Sequence, residues 1–350
     1  MLVAGGTGLA LATNAAGTTR STQHIRHVNA PIEALAVDGS RIAYDVGSTR
    51  GKAGNKVLVW NLRTGKTTKV SGVHTSRADG TGTGAGVLQL AIAGSRVAWS
   101  INLGGNTEGD DFVFASSVAK PKERQVATVH RFGDSCSGGP SSANPHCAGT
   151  WLGGLIGSGN LIALNRWTTD DQGVVREGAL DVLNGNQMKQ VATGADTVEA
   201  VSADGGRVAV LRSDGIVGVY SSAGNLLRTV TPSSANAVAL SEHKLVVLTK
   251  SRTLELYNTQ TGNRRKTLPV HGRAKTPVNL DVQGNIAIYT TGSLHAVNLS
   301  SGKDRVIGNL RGGVGLARAS SAGVVYSTGR FRSKGTLVFL PFARVAAAVG

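Results

Sequence analysis

One phrase recurs along the chain: an apolar β run, then a tight turn of the form Asn-x-x-Thr/Ser-Gly-Lys/Asn. It reads VLVWNLRTGK at 57–66, LELYNTQTGN at 254–263 and LHAVNLSSGK at 294–303, with degenerate copies ALDVLNGNQ at 179–187 and VGVYSSAGN at 217–225. Self-similarity at a period of roughly 35–50 residues marks a repeat architecture, in which each unit buries its apolar surface against its neighbours. Composition agrees with short strands: 48 Gly against two Met, with many Val, Thr and Ser. Gly serves turns, and β-branched residues suit a pleated, half-buried surface. No long segment repeats apolar residues at the helical period, so almost no helix is expected.

Each repeat divides into four strands, A to D. The first has IEALAV (32–37), RIAYDV (41–46), KVLVWNL (56–62) and TTKV (67–70); equivalent units begin at 88, 152, 198, 237, 278 and 315. The seventh has strands within 315–329 and 336–342 but no fourth, while TQHIRHV (22–28) precedes the first unit and belongs to none. Setting 22–28 beside 336–342 closes a ring and removes the edge that an open one would expose. The expectation is an all-β, seven-bladed β-propeller of four-stranded antiparallel blades, closed by an N-terminal strand in the last blade. It spans 21–343 as a single domain, after a residual signal-like or disordered segment at 1–20 and before a C-terminal tail at 344–350.

The pairing VDGSRIAYDV…VLVWNLRTGK resembles the bacterial extracytoplasmic propellers of the TolB type, and more loosely the WD-repeat and PQQ-type propellers. The resemblance covers 22–343, and its motifs are architectural: Asp-Gly at the A–B turn and Thr-Gly-Lys at the C–D turn. The chain departs from these families in lacking a regular Ser-Pro-Asp-Gly, the Trp that closes PQQ repeats and the Trp-Asp pair of WD repeats. The resemblance therefore implies a binding propeller outside the cytoplasm and carries no catalytic residue across.

The balance of 37 Lys+Arg against 21 Asp+Glu gives a net charge of +16, a field that attracts polyanions. The basic residues are scattered, the densest run being Arg264-Arg265-Lys266, with no aromatic interleaving of the kind single-strand binders use. Nucleic acid is therefore not the expected partner. A protein or an anionic cell-envelope polymer is, bound by a monomer. Cys136 and Cys147 bracket a polar loop, CSGGPSSANPHC, and form no CxxC pair, which argues against structural zinc. A disulfide would stabilise such a loop by lowering its unfolded-state entropy, pointing to a secreted or periplasmic protein. The alternative is two free thiols in a cytosolic one. MLVAGGTGLALATNAAG resembles the end of a secretory signal peptide without a basic n-region. No later run of 18 apolar residues offers a membrane span.

In such a ring the D–A and B–C connections share one face. The long ones all fall there and mostly in blades 1 to 3, at 47–55, 71–86, 102–110, 131–150 and 167–177. Long loops on a ring that closes without them elsewhere are expected to serve recognition. The candidate ligand-binding residues are Asp110, Asp111, Trp167, Asp170, Asp171 and Arg176. The two Asp pairs come from equivalent loops and offer oxygen ligands to calcium, or are simply solvated turn acids. Trp167 offers an aromatic platform for sugar or peptide, or is buried at the rim. Trp99 and Trp60 align with strand positions and read as core. No GxSxG, HExxH or Walker loop occurs. A non-catalytic binding module without a cofactor is expected. The alternative is a lyase or glycoside-processing enzyme at the channel mouth on that face, where His74, His130 and His146 also fall. Finally, Asp281 and Arg318 align with positions held by Ala36, Ala91 and Ala239, which predicts an ion pair across blades 6 and 7.

Overall fold

The computed structural model describes residues 23–47, 55–77, 86–104, 108–132, 148–170, 174–194, 198–212, 214–272, 278–310, 316–329 and 334–350. The first strand, β1 (His24–Val28), stands apart from the blade that follows it. Blade 1 is β2 (Leu35–Asp38), β3 (Arg41–Val46), β4 (Lys56–Asn61) and β5 (Thr67–Lys69). Blade 2 is β6 (Gly86–Ala93), β7 (Arg96–Gly104), β8 (Glu108–Ser117) and β9 (Arg124–Phe132). Blade 3 is β10 (Ala148–Ser158), β11 (Leu161–Thr169), β12 (Val175–Asn184) and β13 (Gln187–Thr193). Blade 4 is β14 (Val198–Asp204), β15 (Arg207–Arg212), β16 (Val217–Ser221) and β17 (Leu226–Val230). Blade 5 is β18 (Ala235–Ser241), β19 (Lys244–Thr249), β20 (Thr253–Asn258) and β21 (Arg264–Pro269). Blade 6 is β22 (Val278–Gln283), β23 (Ile286–Thr290), β24 (Ser293–Asn298) and β25 (Asp304–Asn309). Blade 7 is β26 (Ala317–Ser320), β27 (Gly323–Thr328), β28 (Gly335–Pro341) and, last, β1.

The ring closes as the sequence predicts. β1 lies antiparallel to β28, with His24 opposite Phe339 and Val28 opposite Gly335. Strand alternation sends apolar side chains to both faces of each blade, so the core is a set of clusters at the junctions between blades. Val59, Trp99 and Phe114 join blades 1 and 2; Leu164, Ala98 and Val113 join 2 and 3; Ala163, Val208 and Tyr220 join 3 and 4. Further clusters join blades 4 to 5, 5 to 6 and 6 to 7, and one of Val28, Tyr44, Trp60 and Phe339 joins 7 to 1. Trp99 and Trp60 are thus core, as expected.

A second set of links runs between innermost strands at the turn face. Asp38 Oδ2 accepts from Gly94 N (2.5 Å), Ser202 Oγ from Leu240 N (2.9 Å) and Ser241 Oγ from Gly284 N (2.9 Å). Asp281 Oδ2 accepts from Ala319 N at 2.8 Å, and Ser320 Oγ donates to Gly39 O at 2.9 Å. The predicted Asp281–Arg318 ion pair does not form. Both residues occupy the expected register, opposite Ile288 and Val325. The Asp281 carboxylate, however, is taken by main-chain N–H groups of Ala319 and Val282, and Arg318 Nη1 donates to Ala317 O. Burial pushes the Asp281 carboxyl up, and the guanidinium opposes this from beyond contact distance.

Among the described residues two short helices accompany the strands, in keeping with the expectation of almost no helix. α1 (Val73–Arg77) sits in the connection from blade 1 to blade 2. α2 (Phe342–Val349) replaces the expected tail: Val345 and Val349 are buried against the core of blades 6 and 7. Among the described residues no helix is long and apolar enough to cross a membrane.

Candidate functional site

Blades 2 and 3 differ from the rest of the ring. Their strands β7 to β12 run 9 to 11 residues, against 3 to 7 in the other blades. Much of the expected loop 102–110 is therefore strand: β7 and β8 stay paired as far as Gly104 opposite Gly109. At the far end Phe132 and Arg131 of β9 pair with Ala148 and Gly149 of β10. This joins the two blades into one eight-stranded sheet. The extra length lies on the side of the D–A and B–C connections, so it forms a β wall above the loop face.

The candidate residues lie on this wall. Asp110 and Asp111 are on β8 and, being adjacent in a strand, leave on opposite sides. Asp110, partly exposed, pairs with His130 of β9. Asp111 is buried and accepts from Asn102 Nδ2 at 2.6 Å. Asp170 closes the β11–β12 turn: Oδ1 accepts from Val174 N at 2.8 Å, and Oδ2 accepts from Arg176 Nε at 2.7 Å. Trp167 is half-buried opposite the buried Trp151 in the β10–β11 ladder, and Trp151 Nε1 donates to Thr169 Oγ1 at 3.0 Å. Asp171, Cys136 and Cys147 lie outside the described residues, as does His146. His74 instead stacks on Phe114. Among the described residues no three His, Cys, Asp or Glu side chains are grouped to hold a metal ion.

Three buried groups escaped the sequence reading. Asp45 of β3 is buried; Oδ1 accepts from Glu33 N (2.7 Å) and Ala34 N (2.8 Å), while Oδ2 has no hydrogen-bond partner. Burial pushes its carboxyl up to about 7 against those two donors. Its signal was a charge directly after the core Tyr44 in RIAYDV. In blade 5, burial raises the Glu255 carboxyl, but donors Tyr257, Ser233 and Arg264 outweigh it and hold the group below its ordinary value. In blade 6, Tyr289 stacks on His295, and both bond Asp304. Burial, then Asp304, raises the Tyr289 hydroxyl above the ordinary phenol range.

The turn face holds cavities. The central channel opens there in a cavity of about 340 Å³ bordered by Asp38, Asp204, Asp281 and Arg318. A cavity of about 710 Å³ lies between blades 3 and 4, walled by Leu161, Val182, Val191 and Lys189. The chain approaches closely there: a Cβ on Gly224, whose φ is +86°, would meet Val191 O at 1.8 Å. A third, of about 330 Å³, lies between blades 2 and 3.

Seven antiparallel blades around a channel define a seven-bladed β-propeller. No family model matches the sequence. No curated protein matches it. Among solved structures it is similar to the computationally designed Ika8 protein, at a TM-score of 0.50 and 13% identity over 90% of this chain and 98% of that one. At that identity the likeness concerns the fold alone.

Proposed function

We propose that the chain is a non-catalytic, extracytoplasmic binding module that recognises a protein or a cell-envelope glycan through the loop face of blades 1 to 3. The observation that carries this reading is the eight-stranded sheet formed by blades 2 and 3. A paired wall presents its side chains at low ordering cost, which favours recognition. Along it stand the Asp110–His130 pair, the Trp151–Trp167 pair and the Asp170–Arg176 pair. The enzyme reading needs carboxylates converging on one reacting centre. Asp110 and Asp170 are instead each tied within their own blade, which favours binding. The compartment rests on the polar loop between Cys136 and Cys147 and on the signal-like N-terminus.

The test measures binding of the exported protein to peptidoglycan fragments, lipopolysaccharide oligosaccharide and teichoic acid. Its intact mass without reductant should lie two hydrogens below the dithiol. Changing Asp110, Trp167, Asp170 and Arg176 together to Ala should weaken capture and leave the melting temperature within a few degrees. Undiminished binding by that variant would sink the loop-face assignment, and catalytic turnover of any of these polymers would favour the enzyme.

A further inference from the structure

The groove between blades 2 and 3 lies on the turn face, opposite the wall, and does not rest on the reading above. The β8–β9 and β12–β13 turns flank it, and it encloses about 330 Å³. Four cations border it, Arg96, Lys120, Lys122 and Arg124, and no acidic residue does. Arg96 spans the junction, donating to the main-chain carbonyls of Leu183 (3.3 Å) and Asn160 in blade 3. That fixes one charge at the floor.

The turn carrying the lysines is tied to its own strand. Ser117 Oγ accepts from Ala119 N at 3.3 Å, and Ser116 Oγ accepts from Lys122 N at 3.0 Å. The acid in the same segment, Glu123, faces the other side of the blade, where its Oε1 accepts from Thr75 N (2.9 Å) and Thr75 Oγ1 (2.8 Å). Lys120, Lys122 and Arg124 are exposed, with no ion pair among the described residues. Like charges gathered in a concavity repel one another and focus a positive field outward, and an anionic ligand relieves both.

The remaining lining narrows the ligand. Val126 and Leu183 give an apolar floor, Asn186 supplies a neutral amide, and no aromatic ring is present for a nucleobase to stack on. A ring with one anionic group, several hydroxyls and a C–H face meets all three kinds of wall. We propose that this groove binds an acidic polysaccharide. Its carboxylate or sulfate groups would sit on the four cations, and its sugar rings over Val126 and Leu183.

The experiment titrates the full chain with polygalacturonate, which bears carboxylates, and with heparin, which bears sulfates, across a range of salt. Poly(dT) is the nucleic-acid arm. The groove variant is Lys120→Glu, Lys122→Glu and Arg124→Glu together. The control is Lys250→Glu, Arg265→Glu and Arg305→Glu, an equal change of charge on exposed positions of blades 5 and 6. At least one glycan should bind the parent, more weakly as salt rises. The groove variant should lose about tenfold or more, as expected for three exposed ion pairs turned repulsive. The control and the loop-wall variant should bind like the parent. Binding of neither glycan, an equal loss in the control, or poly(dT) held as tightly as the glycans would each overturn the proposal. If the triple variant melts early, Lys120→Gln with Lys122→Gln is read in its place, with a smaller loss expected and no loss overturning it.

Discussion

Asp45 is a carboxylic acid held where its charge is poorly tolerated. It sits in the core face of β3, with two main-chain donors on one oxygen and none on the other. Its carboxyl is pushed up to about 7 from the ordinary 3.8 by burial, the two hydrogen bonds opposing. The unfolded chain gives up this proton near pH 4, and the fold keeps it until about pH 7. Between those values the folded state binds more protons, so stability falls as pH rises. Below the window there is no penalty; above it the penalty is constant, at about 4 kcal/mol. Asp45→Asn keeps an acceptor for Glu33 and Ala34 and cannot ionise. The parent should therefore lose melting temperature relative to the variant from pH 4.5 to pH 8, with the gap widening through neutrality. A gap that is the same at both pH values would show that the Asp45 carboxyl ionises in the fold at its ordinary value and is not raised by burial. Glu255 also has little exposed surface but lies nearer the rim of its blade, and four hydrogen bonds from three residues hold its carboxyl low. Depth and partners together decide the sign.

At the scale of the element, legibility followed local pattern. The blades could be read because apolar alternation and turn residues recur in each, and β1 could be placed because one blade was a strand short. The pairing of β1 with β28 makes a prediction. Removing residues 1–30 strips Val28 and Ala30 from the junction of blades 7 and 1 and exposes the edge of β28. The truncated chain should melt at least about 5 °C lower and gain an aggregation-prone edge, read by calorimetry and light scattering. An unchanged transition would mean that the ring does not need this closure. The strand extensions in blades 2 and 3 were not legible. INLGGNTEGDDF is written in turn residues, and the strand state of 101–104 and 108–112 comes from partners across the ladder rather than from propensity. Asp110, Asp111, Trp167 and Arg176 thus appeared as loop residues. α2 carried a helical signal that went unused: Phe342, Val345, Ala346 and Val349 fall at helical spacing after Pro341.

Across the whole molecule two kinds of cohesion act at different radii. Apolar clusters hold each blade to the next. Nearer the axis, Asp and Ser side chains reach main-chain groups of the following blade at several junctions, including 6 to 7 and 7 to 1. This inner set explains why a charge is tolerated among small residues at the position of Asp281. Its carboxylate serves as an acceptor for Ala319 N, and that role needs an oxygen rather than a charge. The two accounts of the site then diverge under mutation. If the Arg318 guanidinium were the main partner, Asp281→Asn and Asp281→Ala would cost about the same. If the Ala319 N–H is the partner, Asn should replace Asp with little loss, because it keeps the acceptor and sheds a charge whose carboxyl burial already pushes up. Ala should cost about 1–3 kcal/mol by leaving that N–H without an acceptor. Chemical denaturation of both variants beside the parent separates these outcomes. An Asn variant as unstable as the Ala variant would restore the ion pair as the link between blades 6 and 7.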